Sequence, residues 1–259
     1  MNTYPEISTR IKFIRTLLNY TQKQFAQKLF AAEYDREGSA PGLHIYISRV
    51  ENGKQLPSAA MLIALAGYEV VISRNARNYS ADDAAAVLGV SLPDGVEKRR
   101  VKISVDRIIC GRDDAWVETL CNYLIDTPSS RREAFFAACT EIADDFVPDE
   151  IVEDDDASLA HDSFLCALRL REVRKFVEKT CKLKLEKSRV SRQENRGGTP
   201  SASYLIDFCL KAGACADYVL NGSFGALPQE LQYILSFYNY STQLLLLNKF
   251  CTAAQKILG

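Results

Sequence analysis

Two stretches of this chain run in one register: ISRVENGKQLPS from Ile47 to Ser58, and VSRQENRGGTPS from Val190 to Ser201. Glu51 maps to Glu194, Asn52 to Asn195, Pro57 to Pro200 and Ser58 to Ser201, all at one constant offset. Agreement of this kind marks an internal repeat, so the chain is expected to build a similar local structure twice. In the first stretch Gly53 suits the left-handed residue that closes a helix, and Pro57 is expected in the first turn of the next one.

The residues around the first stretch predict four helices. Ile7, Ile11, Ile14, Leu17 and Leu18 recur at three-and-four spacing and form the apolar stripe of a helix running to about Asn19. Thr21 is a candidate N-cap, and Phe25, Ala26 and Leu29 face inward from the second helix. The segment FAAEYDREGSA, 30–40, lengthens the following turn. A third helix spans about Leu43 to Asn52, with Ile47 and Val50 inward and His44, Ile45, Ser48 and Arg49 outward. A fourth begins at Pro57, with Met61, Leu62 and Leu65 as its apolar face. Tyr68 to Ile72 then reads as a strand, Ala81 to Leu88 as a helix, and Val101 to Ile109 as a second strand in which Val101, Ile103 and Val105 alternate with polar residues. The two strands pair with each other or across a dimer. Helical hairpins are expected over Trp116–Ala143 and Leu227–Leu258.

The second copy starts near Asp162. Phe164, Leu165 and Leu168 map onto Phe13, Ile14 and Leu17, and Phe176, Val177 and Lys179 onto Phe25, Ala26 and Lys28, which puts Glu172-Val173 where the first copy has its cap Thr21-Gln22. Gly53 becomes Arg196, followed by Gly197 and Gly198.

The opening TQKQFAQKL, the ISRVENGK segment and, in the second copy, PSASYLIDFCLKAGACADYVLNG together resemble the lambda-repressor/Cro helix-turn-helix family, also called the xenobiotic-response-element family. The resemblance covers Ile7 to Ile72 and Asp162 to Gly222, and departs from the family in the lengthened turns. It implies that the third helix of each copy enters the major groove of duplex DNA while the start of the second helix meets phosphate. The base-reading candidates are then His44, Ile45, Ser48 and Arg49 in the first copy and Lys187, Ser188, Ser191 and Arg192 in the second. Phosphate contacts fall to Gln22, Asn52 and Lys54, and to Arg189, Asn195 and Arg196. Arg49 suits a bidentate contact to guanine, worth about 1–3 kcal/mol of discrimination, and Ile45 suits a thymine methyl. Glu51 and Glu194 are expected to brace the fold, since a carboxylate facing phosphate is repelled.

Composition narrows the rest. A formal net charge of -1 gives no overall attraction to DNA, but Arg169 to Arg196 is a markedly basic run and Glu141 to Asp156 carries acids with no Lys or Arg. The acidic stretch reads as a solvated linker, with masking of the basic copy as the sharper alternative. Eight cysteines are scattered without a Cys-x-x-Cys pair and with only His44 and His161 as nitrogen ligands, so no metal site, redox motif or cofactor is expected and the thiols pack as small hydrophobes. No phosphate loop, His-x-x-x-His or nucleophile elbow supports an enzyme. No membrane span or signal segment is read, which gives a cytoplasmic, nucleoid-associated expectation. The expected fold is mainly α: two lambda-repressor-like domains, each followed by a helical hairpin, with a small β insert after the first. The segments are 1–73, 74–143 (insert and hairpin), 144–158 (acidic linker), 159–225 and 226–259. The expected function is a repressor-like transcriptional regulator bound to double-stranded DNA, with a homodimer or a protein partner through the hairpins left open. The alternative is a protein-interaction adaptor or antitoxin-like protein whose second copy binds protein.

Overall fold

A computed structural model of the chain describes residues 5–31, 42–66, 68–90, 92, 95–125, 127–148, 159–181 and 200–259. Among the described residues the protein is mainly helical, with thirteen helices and one two-stranded sheet. It divides into two compact units, Met1–Arg112 with Ser201–Leu210, and Asp113–Pro200 with Lys211–Gly259. No described helix is long and apolar enough to cross a membrane.

The first unit begins with α1 (Pro5–Leu17), whose Ile7, Ile11 and Ile14 are each at most 1% exposed. Burying such side chains stabilises by about 1.5–3 kcal/mol each. The helix closes through Asn19 at φ 54, with the Tyr20 N–H bonded to the Arg15 carbonyl and the Asn19 N–H to that of Thr16. This is a Schellman closure with asparagine in the left-handed position. Thr21 then caps α2 (Gln22–Leu29) in a full capping box: the Gln24 N–H donates to Thr21 Oγ1 and the Thr21 N–H to Gln24 Oε1. After α3 (Leu43–Glu51) the same closure recurs with Gly53 at φ 68. Ser58, not Pro57, starts α4 (Ala59–Leu65): the Ser58 hydroxyl accepts the Met61 N–H, so Pro57 stands before the cap and outside the first turn.

Strands β1 (Glu69–Ser73) and β2 (Lys98–Lys102) pair antiparallel with each other, Val70 opposite Val101, and α5 (Ala81–Leu88) lies between them in sequence. The second strand is shorter than its alternation suggests. Ile103 and Val105 are buried as expected, but Ser104 between them caps α6 (Val105–Cys110) by accepting the Arg107 N–H, so the chain turns helical there.

In the second unit α7 (Ala115–Ile125) and α8 (Ser129–Asp144) both pack along α13 (Tyr240–Ile257), and α12 (Gln229–Leu235) packs on α8. The helices expected as two separate hairpins therefore share one core. Its centre holds Leu120, Phe135, Cys139, Leu246, Leu247 and Phe250, all fully buried. Tyr238 donates its hydroxyl to the Ala143 carbonyl at 2.8 Å. Burial, then the Asp144 charge, raise the Tyr238 phenol above its ordinary range.

The remaining helices are α9 (Leu159–Cys181), α10 (Ala202–Ala212) and α11 (Ala216–Asn221). The last of these repeats α6 residue for residue in plan. Ser104 and Cys215 cap, Asp106 and Asp217 are buried, and Gly111 and Gly222 close at φ 78 and 74. Each closing glycine also lies under an arginine from an earlier helix. Arg10 Nη1 donates to the Ile108 and Ile109 carbonyls, and Arg169 Nη1 to that of Leu220. A Cβ on Gly111 would meet the Arg10 guanidinium, and one on Gly222 the Arg169 guanidinium.

Arg169 is thus the counterpart of Arg10, which corrects the register of the second copy by about two helical turns. In the corrected register Ile7, Ile11 and Ile14 correspond to Cys166, Leu170 and Val173, and all six are buried. The mapping of Phe13, Ile14 and Leu17 onto Phe164, Leu165 and Leu168 fails because Leu17 is buried whereas Leu168 is 43% exposed. Glu172 corresponds to Phe13, not to the cap Thr21. Thr21 corresponds to Thr180, which lies within α9 and donates to the Phe176 carbonyl.

Candidate nucleic-acid interface

Three helices of the first unit meet at one carboxylate. Glu51, at the end of α3, is 7% exposed and binds Arg15 of α1 through both oxygens, with Arg15 Nη2 to Oε2 at 3.1 Å. Gln22 Nε2, at the start of α2, donates to the same Oε2 at 2.8 Å. Arg15 Nη1 also donates to the Tyr20 carbonyl, tying the ion pair to the turn before α2. The brace holds α1, α2 and α3 in one orientation. Removing one partner of such a buried pair costs about 3–5 kcal/mol, because the other charge is left without compensation.

With Ile47 and Val50 turned into the core, the helical period sends His44, Ile45, Ser48, Arg49 and Asn52 to the opposite face of α3 and its cap. His44 and Arg49 are exposed and Ile45 is 48% exposed. Ser48 is half-buried, and Asn52 Nδ2 donates to its carbonyl at 2.8 Å and to its hydroxyl at 3.3 Å. Ser48 and Asn52 are therefore tied to each other. Lys54 follows the closing glycine and is exposed. Among the described residues His44, Arg49 and Lys54 have no side-chain hydrogen bond or ion pair. Gln22 differs from its expected role in one respect, since its amide nitrogen is held by Glu51. Lys23, the next residue, is exposed and without such a partner; its place one step after Gln22 was the available signal.

The charge of this surface follows from the sequence and the burial together. Across described residues 20–31 and 42–58 the cations are Lys23, Lys28, Arg49 and Lys54, while the one carboxylate is Glu51, buried in its ion pair. A chain of net charge -1 thus presents a locally positive face on α2 and α3. Exposed cations attract phosphate over about 10 Å at 0.1 M salt, and a neutralised internal carboxylate does little to oppose them.

The second-copy candidates Lys187, Ser188, Arg189, Ser191, Arg192, Asn195 and Arg196 lie outside the described residues, as do Glu194, all but Phe30 and Ala31 of the inserted segment 30–40, and most of the expected acidic linker.

Two thiols of the second unit are held protonated by their surroundings. Burial, then the Cys251 charge, push the Cys139 thiol up to about 12, and burial, then Asp114, push Cys251 to about 11. Cys121, Cys166 and Cys251 donate to the backbone carbonyls of Ala226, Leu220 and Trp116. Among the described residues no group of three or more His, Cys, Asp or Glu is placed to hold a metal. Comparison with protein-family models, curated proteins and solved structures found no match to this chain.

Proposed function

We propose that this chain is a sequence-specific regulator that binds double-stranded DNA through α2 and α3 of the first copy, arranged as a helix-turn-helix of the lambda-repressor/Cro kind. The observation that carries the reading is that His44, Ile45 and Arg49 stand exposed on α3, that Lys23 and Lys54 are exposed too, and that the one carboxylate among the described residues of α2, α3 and their caps is buried against Arg15. In this reading α3 lies in the major groove. Arg49 donates to the O6 and N7 acceptors of a guanine, Ile45 packs on a thymine methyl, and His44 reads a neighbouring base edge. Lys23, Lys54 and the backbone N–H groups opening α2 neutralise phosphates, which fixes the helix on the duplex without reading sequence.

Counted from the shared Glu51 and Glu194 and not from the first helix, the outward positions carry different residues, His44 against Lys187 and Ile45 against Ser188, so the operator is expected to have unlike halves. Selection of a random duplex pool by the full chain at physiological salt tests this. One enriched motif with two unlike halves, the first lost in Arg49→Ala, is the expected result. A palindrome would point to two chains each using the first copy alone. No enrichment at all, with binding that only fades as salt rises, would overturn sequence-specific reading and favour an adaptor.

A further inference from the structure

The second unit carries a cationic groove of about 710 Å³ between α9 and the start of α13. Arg171, Lys175 and Lys179 line it at four-residue steps along α9, which sets three positive charges in a row about 12 Å long. All three are exposed, and among the described residues none has a hydrogen bond or ion pair. Phe176 packs edge-on against Tyr240 and forms the apolar floor.

The one carboxylate in the lining, Glu172, has both oxygens engaged elsewhere. It accepts the Tyr218 hydroxyl at 2.9 Å and the Tyr240 N–H, and so serves to join α9, α11 and α13. The row also belongs to the second copy alone. In the corrected register its positions are Lys12, Thr16 and Tyr20 of the first copy, where a single cation stands. Three unpaired cations beside one another repel, and folding gives nothing in return for holding them there. Such a row is stabilised by a polyanion.

We propose that this groove seats the phosphate backbone of duplex DNA, so that the α9 face adds a contact that positions the protein without reading bases. The proposal rests on the DNA-binding reading above and assigns its second contact to the α9 face. Arg171, Lys175 and Lys179 would each neutralise a phosphate and release its counterion.

The test uses the full chain, binding the enriched duplex and a scrambled duplex of equal length over a range of salt concentrations. Lys175→Ala with Lys179→Ala is expected to weaken binding to both duplexes by the same factor and to lower the salt slope by about 1.8, or about 0.9 per phosphate contact. Lys175→Arg with Lys179→Arg is expected to keep both affinity and slope. Unchanged slope and affinity in the alanine pair would overturn the proposal, as would a loss confined to the enriched duplex, which marks a base contact. Competition with inorganic phosphate against chloride at matched ionic strength separates the sources of phosphate. Displacement by phosphate beyond that by chloride would mean a small-anion site and overturn the backbone assignment. The two readings fail separately: absence of an enriched motif defeats base reading while the slope on scrambled duplex still reports the groove, and motif binding sensitive to Arg49→Ala but not to the lysine pair defeats the groove alone.

Discussion

The two copies of the repeat keep the same closing element and differ at the turn that follows their first helix. In both, an arginine from the first helix lies under a left-handed glycine and holds the carbonyls of a short capped helix, Arg10 over α6 and Arg169 over α11. After the first helix the copies part. The first breaks at Asn19, caps at Thr21 and draws α1, α2 and α3 onto Glu51. The second continues as helix through Thr180, and its Arg174, the counterpart of Arg15, pairs with Glu178 four residues on along the same helix. An ion pair between helices sets their mutual orientation, whereas one four residues along a single helix does not. The comparison separates the closing element that both regions keep from the three-helix brace on Glu51 that holds α3 at a set angle, which is found in the first region alone among the described residues.

The largest effect that sharpens this contrast is expected at the two arginines. Arg15→Ala strands a buried carboxylate and should destabilise the first unit by about 3–5 kcal/mol in urea unfolding, whereas Arg174→Ala leaves Glu178 in reach of water and should cost less. Equal losses would mean that the copies are braced alike. Next in size, Arg49→Ala should leave the unfolding midpoint unchanged and reduce discrimination between the enriched and scrambled duplexes by about 1–3 kcal/mol, measured by competition binding.

Gly111→Ala and Gly222→Ala probe what the copies share. Each forces a side chain into the left-handed region and against an arginine, so each should destabilise by about 1–2 kcal/mol, and by similar amounts. A cost at only one of them would break the equivalence of Arg10 and Arg169. Thr21→Ala removes the capping box and should cost about 1 kcal/mol in thermal unfolding.

A pH-dependent effect, absent at neutral pH, is expected in the second unit. The folded Cys139 thiol holds its proton up to about 12, while an unfolded thiol loses it near 8.5. Between these values the folded state binds more protons than the unfolded one, so the contribution present below about pH 8.5 is lost as pH rises toward 12. Unfolding followed at stepped pH should show a shallower alkaline decline in Cys139→Ala than in the parent chain.

Much of the first unit was legible because local rules and burial agree there. The Ile7, Ile11 and Ile14 stripe, the Thr21 cap and the left-handed Gly53 are each decided within a few residues, and each is found in place. Alternation misled at Val101 to Ile109, since a buried residue at every second position suits both a strand and the entry to a helix. Ser104 decided between them by capping. The same octet carried a signal that was passed over: Ser104 to Gly111 and Cys215 to Gly222 have the same plan, a cap, a buried aspartate and a closing glycine. The likeness of Phe13 and Phe164 in type does not fix the register of the second copy, which rests on Arg10 and Arg169, whose carbonyl partners lie far along the chain. The packing of α7 and α8 on α13 was illegible for a similar reason, since an amphipathic helix declares which face it buries and not against what. For the candidate interface, outward positions on α3 could be read from the period alone, but the capture of Gln22 by Glu51 needed three helices together.

The central claim, that α3 reads bases from the major groove through Arg49, is tested most directly by methylation interference on the enriched duplex. Methylation of guanine N7 places a methyl group in the major groove, where a bidentate arginine would bind. The account predicts at least one guanine whose methylation abolishes binding of the parent chain and has no further effect on Arg49→Ala. Interference at no guanine, or interference equal in the two proteins, would contradict it.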